Sequence, residues 1–177
     1  RFAAPIAGSP ATLERLELPA DVDTLPLADG DTIRLEGKAG VTALHAPGHT
    51  DDHVCYLADP DRRLFTGDLV LGEGSSAILH PEGSVADCLA SLARMAALRP
   101  RLLLPGHGPP VEDALERLAA YRRHRLERER QVRDALAAGA ASVPEIREAV
   151  YGRLPEGLRR AADSSVAARR RPSGNRP

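Results

Sequence analysis

Lysine is nearly missing from this chain, with 1 residue against 23 arginines, a bias that coding composition explains as readily as chemistry does and from which no function follows. Cysteine is scarce too. Cys55 and Cys88 sit in apolar surroundings, in no Cys-x-x-Cys pair and at no metal-type spacing to histidine, which excludes a disulfide framework and a cysteine-based zinc site. Both read as buried free thiols of a reducing compartment. No apolar run approaches the roughly 18 residues of a membrane span, and no charged-then-apolar leader is present, so the expectation is no membrane and a cytoplasmic protein. A formal net charge of -1 excludes the global basic field of a nucleic-acid binder, leaving the partner class to local features. The chain opens on Arg1, and residues 2–6 read like mid-strand, so it is expected to begin inside a longer domain.

What is present is ordinary globular material: 177 residues, 42% hydrophobic and 28% charged, enough for one main domain and an appendage. Residues 1–29 carry four prolines and little periodicity; a short strand at 1–6 and one helical turn around 12–18 are expected. The alternation in 32–36, the glycine-bounded turn at 37–40 and the strand composition of 41–44 predict a hairpin. Residues 54–57 and 64–66 predict a second strand pair across the Asp59-Pro60-Asp61 turn. Ser84, with Asp87 three residues on and Val85, Leu89, Leu92 and Met95 at helical spacing, predicts a helix to Leu98. Leu102-Leu103-Leu104 predicts a short buried strand. A long helix over 111–138 is expected to bury a loose stripe of Leu115, Leu118, Leu126, Val132 and Leu136, while its seven arginines and six carboxylates form a solvated, salt-bridged face. Helices at 144–150 and 155–168 follow, then an arginine-rich tail with no apolar periodicity. The expected division is 1–138, a helical appendage at 139–168, and a disordered tail at 169–177.

Of the six histidines, His45, His49 and His53 are spaced four apart, but Pro47-Gly48 forbids one continuous helix through them. They belong to a strand-to-loop passage in which Leu44-His45-Ala46 ends a strand and His49 is presented from the turn. The pattern recurs twice. Leu64-Phe65-Thr66 runs into Gly67-Asp68, and Leu102-Leu103-Leu104 into Pro105-Gly106-His107-Gly108. Three strands each deliver one ligand-type side chain beside a glycine, and imidazole with carboxylate suits zinc. Any one of them is equally readable as a turn residue; the repetition points to a metal. His80, before Pro81, reads as a loop residue and His124 as a surface residue of the long helix.

In order and separation, Pro47-Gly48-His49-Thr50-Asp51-Asp52-His53, Phe65-Thr66-Gly67-Asp68 and Pro105-Gly106-His107-Gly108 resemble the third, fourth and fifth motifs of the metallo-β-lactamase superfamily. The resemblance spans residues 31–168. The fold it implies is α/β, the second half of an αββα sandwich followed by a truncated helical, winged-helix-like appendage. It implies that His49 is the last ligand of one metal site, His107 the last ligand of a second, and Asp68 the carboxylate bridging both. Members of this kind hold two zinc ions and attack an ester, thioester or phosphodiester with zinc-bound hydroxide. By the same resemblance, His53 and Asp52 either orient the ligands or are structural. The glycine-rich loop from Gly72 to Ser76 and the Tyr121-Arg122-Arg123-His124-Arg125 helix look most like the branch of the β-lactamase-like protein 2 endoribonucleases, with single-stranded RNA as substrate. Thioester cleavage of the glyoxalase type is equally open.

One departure matters. The superfamily's HxHxDH motif supplies four further ligands, and no HxH occurs in this sequence. Each metal keeps only one histidine and the shared Asp68, so the chain by itself is expected to hold zinc weakly. Its uncovered sheet is expected to need an oligomer or partner. The rival expectation is an inactive fragment or interaction module that binds metal weakly.

Overall fold

The computed structural model describes residues 4–35, 37 and 39–168. The tail expected to be disordered, 169–177, lies outside the described residues, as do the first three positions of the strand expected at 1–6. The observed first strand, β1, is Ile6–Gly8, pairing in parallel with β2, Thr24–Pro26. Between them α1 runs Pro10–Arg15, earlier than expected, because Ser9 caps it through Thr12 N and Pro10 takes the first turn, where its missing N–H costs nothing.

The main sheet has five strands in the order β3 (Thr32–Arg34), β4 (Gly40–His45), β5 (Val54–Asp59), β6 (Arg63–Gly67) and β7 (Leu102–Pro105). The first three pairings are antiparallel; β6 and β7 are parallel, joined by a crossover through α2, Val85–Ala97. Two antiparallel steps make β4 and β6 run the same way, and β7 follows β6. The C-terminal ends of β4, β6 and β7 therefore open at one edge of the sheet, and this topology brings their loops together.

One face of the sheet presents Leu44, Cys55, Leu57, Leu64 and Leu103 to the buried side of α2 (Val85, Cys88, Leu92, Met95) and to Leu118 and Tyr121 of α3, Ala114–Ala137. Hydrophobic spacing in α2 agrees with the sequence, and Ser84 caps it as expected. On the other face the register aligns Ala43, Tyr56, Phe65 and Leu104 in one cross-strand row, with Phe65 43% exposed. Among the described residues no helix is long and apolar enough to cross a membrane.

Neither cysteine forms a disulfide, both are buried in the first cluster, and burial pushes the Cys55 thiol up to about 12. Thiolate is the reactive form. A thiol reagent at pH 8 is expected to leave Cys55 and Cys88 unlabelled in the native protein and to label both after denaturation; mass spectrometry of the intact chain reads the difference.

Beyond Gly139, in the left-handed region at φ +99°, come α4 (Val143–Tyr151) and α5 (Glu156–Ala167). With the end of α3 they enclose a second small cluster of Val132, Ala135, Ile146, Val150 and Val166. The stripe expected along α3 is corrected. Leu115, Leu126 and Leu136 are 38–41% exposed, and the buried positions are Ala114, Leu118, Tyr121, Arg125, Val132 and Ala135. α3 also starts at Ala114 rather than 111, because Val111 bridges Leu103 of the sheet and Asp113 forms the cap.

Candidate functional site

His49 follows β4 through a turn that only glycine can make. Gly48 has φ +149°, and a Cβ there would lie 2.5 Å from Cα of Cys88, so the loop is seated directly on the first turn of α2. Ser84 N donates to Gly48 O at 3.0 Å, and Ser91 Oγ to Pro47 O at 2.7 Å. The imidazole is oriented from its far side: Nδ1 lies 2.7 Å from Ala77 O. A carbonyl only accepts, so Nδ1 carries a proton, and in the neutral ring Nε2 keeps its lone pair. That nitrogen stands 3.7 Å from Oδ2 of Asp68.

Asp68 leaves β6 after an irregularity between Phe65 and Gly67. Gly67 has φ +49°, and a Cβ on it would approach His53 Nε2 to 2.8 Å. His53 holds the turn by accepting Asp68 N–H at Nε2, 3.1 Å, which places its proton on the buried Nδ1. Burial, reinforced by the neighbouring His49, lowers the His53 pKa and keeps the ring neutral, as an acceptor must be. Asp52 instead turns away to α1, accepting Thr12 Oγ1 at 2.9 Å and pairing with Arg15 at 3.2 Å. Of the two residues with open roles, His53 touches the turn that carries Asp68, and Asp52 anchors a helix.

Parallel pairing of Phe65 with Leu104 and Gly67 with Pro105 brings the end of β7 beside Asp68. Gly106 N donates to Gly67 O at 3.0 Å, and His107 Nε2 lies 3.7 Å from Asp68 Oδ1. The structure thus brings His49, Asp68 and His107 together, one histidine to each carboxylate oxygen. His45 is not among them; it ends β4 exposed, with its backbone N–H on Asp29 Oδ1.

The donor set suits a divalent cation. At 3.7 Å neither histidine hydrogen-bonds the carboxylate, while two bonds of about 2.0–2.2 Å to one ion would span such a gap. A neutral imidazole lone pair facing a carboxylate oxygen is repelled unless a positive charge, a metal ion or a proton, lies between them. The set is also partial: among the described residues no group of three or more His, Cys, Asp or Glu side chains closes around one point. Each position has two donors from this chain.

The sequence reading missed the residues that hold the 72–80 loop over the site. Tyr121 OH accepts Leu71 N at 2.8 Å and Ser76 N at 3.3 Å. Arg117 donates to Leu71 O and Gly74 O, and Arg125 to Ser76 O at 2.6 Å and Oγ at 2.9 Å. From α5, Ser165 Oγ accepts Ile78 N, and Ser164 Oγ accepts His80 N while donating to Ile78 O. These contacts fix Ala77, and Ala77 fixes His49. Tyr121 and Arg125 were visible only as part of a family-like helix; nothing in their spacing showed that they would serve a loop some 45 residues away.

Comparison with known proteins identifies the family and the fold. The profile of the Metallo-beta-lactamase superfamily matches residues 6–107. The chain belongs to that superfamily. Its sheet, helices and strand-end loops are those of the metallo-β-lactamase fold. A metallo-beta-lactamase family protein from Thermus thermophilus superposes with TM-score 0.72 at 28% identity, over 90% of this chain and 51% of that one. The chain is 39% identical over 111 residues to an atrochrysone carboxyl ACP thioesterase of Cryptosporiopsis sp. (strain 8999), covering 63% of this chain and 33% of that protein. It is 33% identical over 153 residues to a beta-lactamase-like protein 2 homolog of Drosophila melanogaster, covering 85% of this chain and 50% of that one. The chain spans a third to a half of the length of these two relatives.

Proposed function

We propose that this chain carries the His49, Asp68 and His107 share of a two-metal hydrolytic centre, with zinc as the metal and an acyl thioester or ester as the substrate. One observation carries the reading: both oxygens of Asp68 face a histidine Nε2 at 3.7 Å, with one of those histidines locked in the tautomer that leaves Nε2 bare. The chemistry a divalent ion supplies there is Lewis-acid activation of water and polarisation of the scissile carbonyl. The chain's own residues do the positioning. Ala77 O sets the His49 ring, His53 sets the Asp68 turn, and His107, with its side chain 76% exposed, is the most accessible of the three. The remaining ligands come from outside this sequence, which contains no HxH. A thioester is placed ahead of RNA because relatives named as ACP thioesterases match the chain, while the charge balance of -1 gives no general affinity for a polyanion.

The test is to add zinc to the purified chain, measure bound metal, and assay a generic acyl thioester beside a generic phosphodiester. Bound zinc with thioester turnover that disappears in His49→Ala supports the proposal. No zinc uptake at millimolar metal overturns it and leaves an interaction module. Turnover of the phosphodiester alone shifts the substrate to nucleic acid.

A further inference from the structure

Arg125 is the one arginine that α3 buries, at 3% exposure. Among the described residues no carboxylate pairs with it. Its two recorded hydrogen bonds go to neutral oxygens of Ser76, its Nε is buried without a partner, and its guanidinium carbon lies 5.7 Å from the centre of the Tyr121 ring. A buried charge without a counter-ion is unfavourable, and a guanidinium has five donors, of which a single nitrogen is engaged here.

The same residue lines a pocket of about 150 Å³ between the 75–77 loop, α3 and α5. Ser75, Ser76, His124, Tyr151 and Ser165 supply hydroxyls and an imidazole to its wall, and none of the lining residues is acidic. Beside an apolar wall of Ala77, Leu154, Leu158, Ala161 and Ala162, it offers one cation, four hydroxyls and no carboxylate, the chemistry that recognises a tetrahedral oxyanion, for which the planar guanidinium fork is suited. We infer that this pocket binds a phosphate group, free or carried on a larger molecule, with Arg125 as its principal donor. The site is separate from the proposed metal positions and mechanically joined to them. Arg125 holds Ser76, and the next residue, Ala77, accepts from His49. An anion on Arg125 would therefore steady the loop that orients His49.

Calorimetric titration of the full chain with inorganic phosphate, in chelator so that no metal contributes, tests the inference. Saturable binding is expected, weakened at least about tenfold in Arg125→Met, which loses every charge-assisted bond. Leu158→Glu guards against a folding defect: Leu158 is 56% exposed on the pocket wall, so a carboxylate there supplies the missing counter-ion without disturbing the core, and phosphate binding is expected to fall similarly. Phenyl phosphate binding as well as phosphate assigns a carried phosphate group, and phosphate binding alone a free anion. No saturable binding to the native chain, or unchanged affinity in both folded variants, overturns the inference.

Discussion

Asp68→Asn is expected to eliminate zinc uptake at both positions, whereas His49→Ala and His107→Ala each remove one equivalent of two. The asymmetry follows from the geometry: each histidine faces its own carboxylate oxygen, but both depend on one side chain. If the roughly 10–16 kcal/mol of a complete zinc site is divided over four ligands, each lost ligand costs about 2.5–4 kcal/mol, or two to three orders of magnitude in affinity. Where the chain supplies two donors, losing Asp68 leaves a lone imidazole at each position, and losing a histidine leaves a lone carboxylate oxygen at one. Equilibrium dialysis at excess zinc with metal analysis separates the three variants; equal stoichiometry in Asp68→Asn and the native chain would remove the shared-carboxylate arrangement. Retained secondary structure is expected in all three, because the side chains lie at loop ends rather than in the core.

Gly48→Ala should cause a large loss of stability for a single added methyl group. The new Cβ would lie 2.5 Å from Cα, 2.6 Å from Cβ and 2.8 Å from N of Cys88. Two of those atoms are backbone in the first turn of α2, and they can move only if the helix does. A φ of +149° adds strain for any L side chain. About 3 kcal/mol or more is expected, which in a domain of this size lowers the melting temperature by about 6–12 °C. Thermal unfolding followed by circular dichroism measures it, and a drop under about 2 °C would mean that the loop is not seated on α2. Since the same turn presents His49, zinc uptake at the His49 position should fail with it.

Much of the architecture was readable from local patterns. Alternation marked the strands, the Ser84 cap and apolar spacing marked α2, and the three glycine-adjacent His and Asp side chains after strand ends marked the candidate site. Each is a short-range signal, set by pleat, helical repeat or turn chemistry. The long helix was read less well. Leucines at plausible spacing along α3 suggested its buried stripe, yet Leu115, Leu126 and Leu136 face solvent. α3 packs on two different clusters and carries a polar loop on its N-terminal half, so its buried face is not a single apolar line. Arg125 illustrates the cause: it lies in a charged run between His124 and Leu126, and its partners are carbonyl and hydroxyl oxygens of Ser76.

By itself, the sequence determined which side chains are of metal-ligating type, that each follows a strand beside a glycine, and that an HxH pair is not among them. Those facts are matters of residue type and spacing. Tertiary structure decided the rest. It placed one histidine on each oxygen of Asp68 through the parallel β6–β7 pairing, and chose the His49 tautomer through Ala77 O. It also gave His53 to the Asp68 turn and Asp52 to α1, and buried one arginine of a charged helix over an acid-free pocket. Such choices depend on which distant backbone atom comes within about 3 Å, a relation fixed by chain crossover and packing that no local pattern encodes.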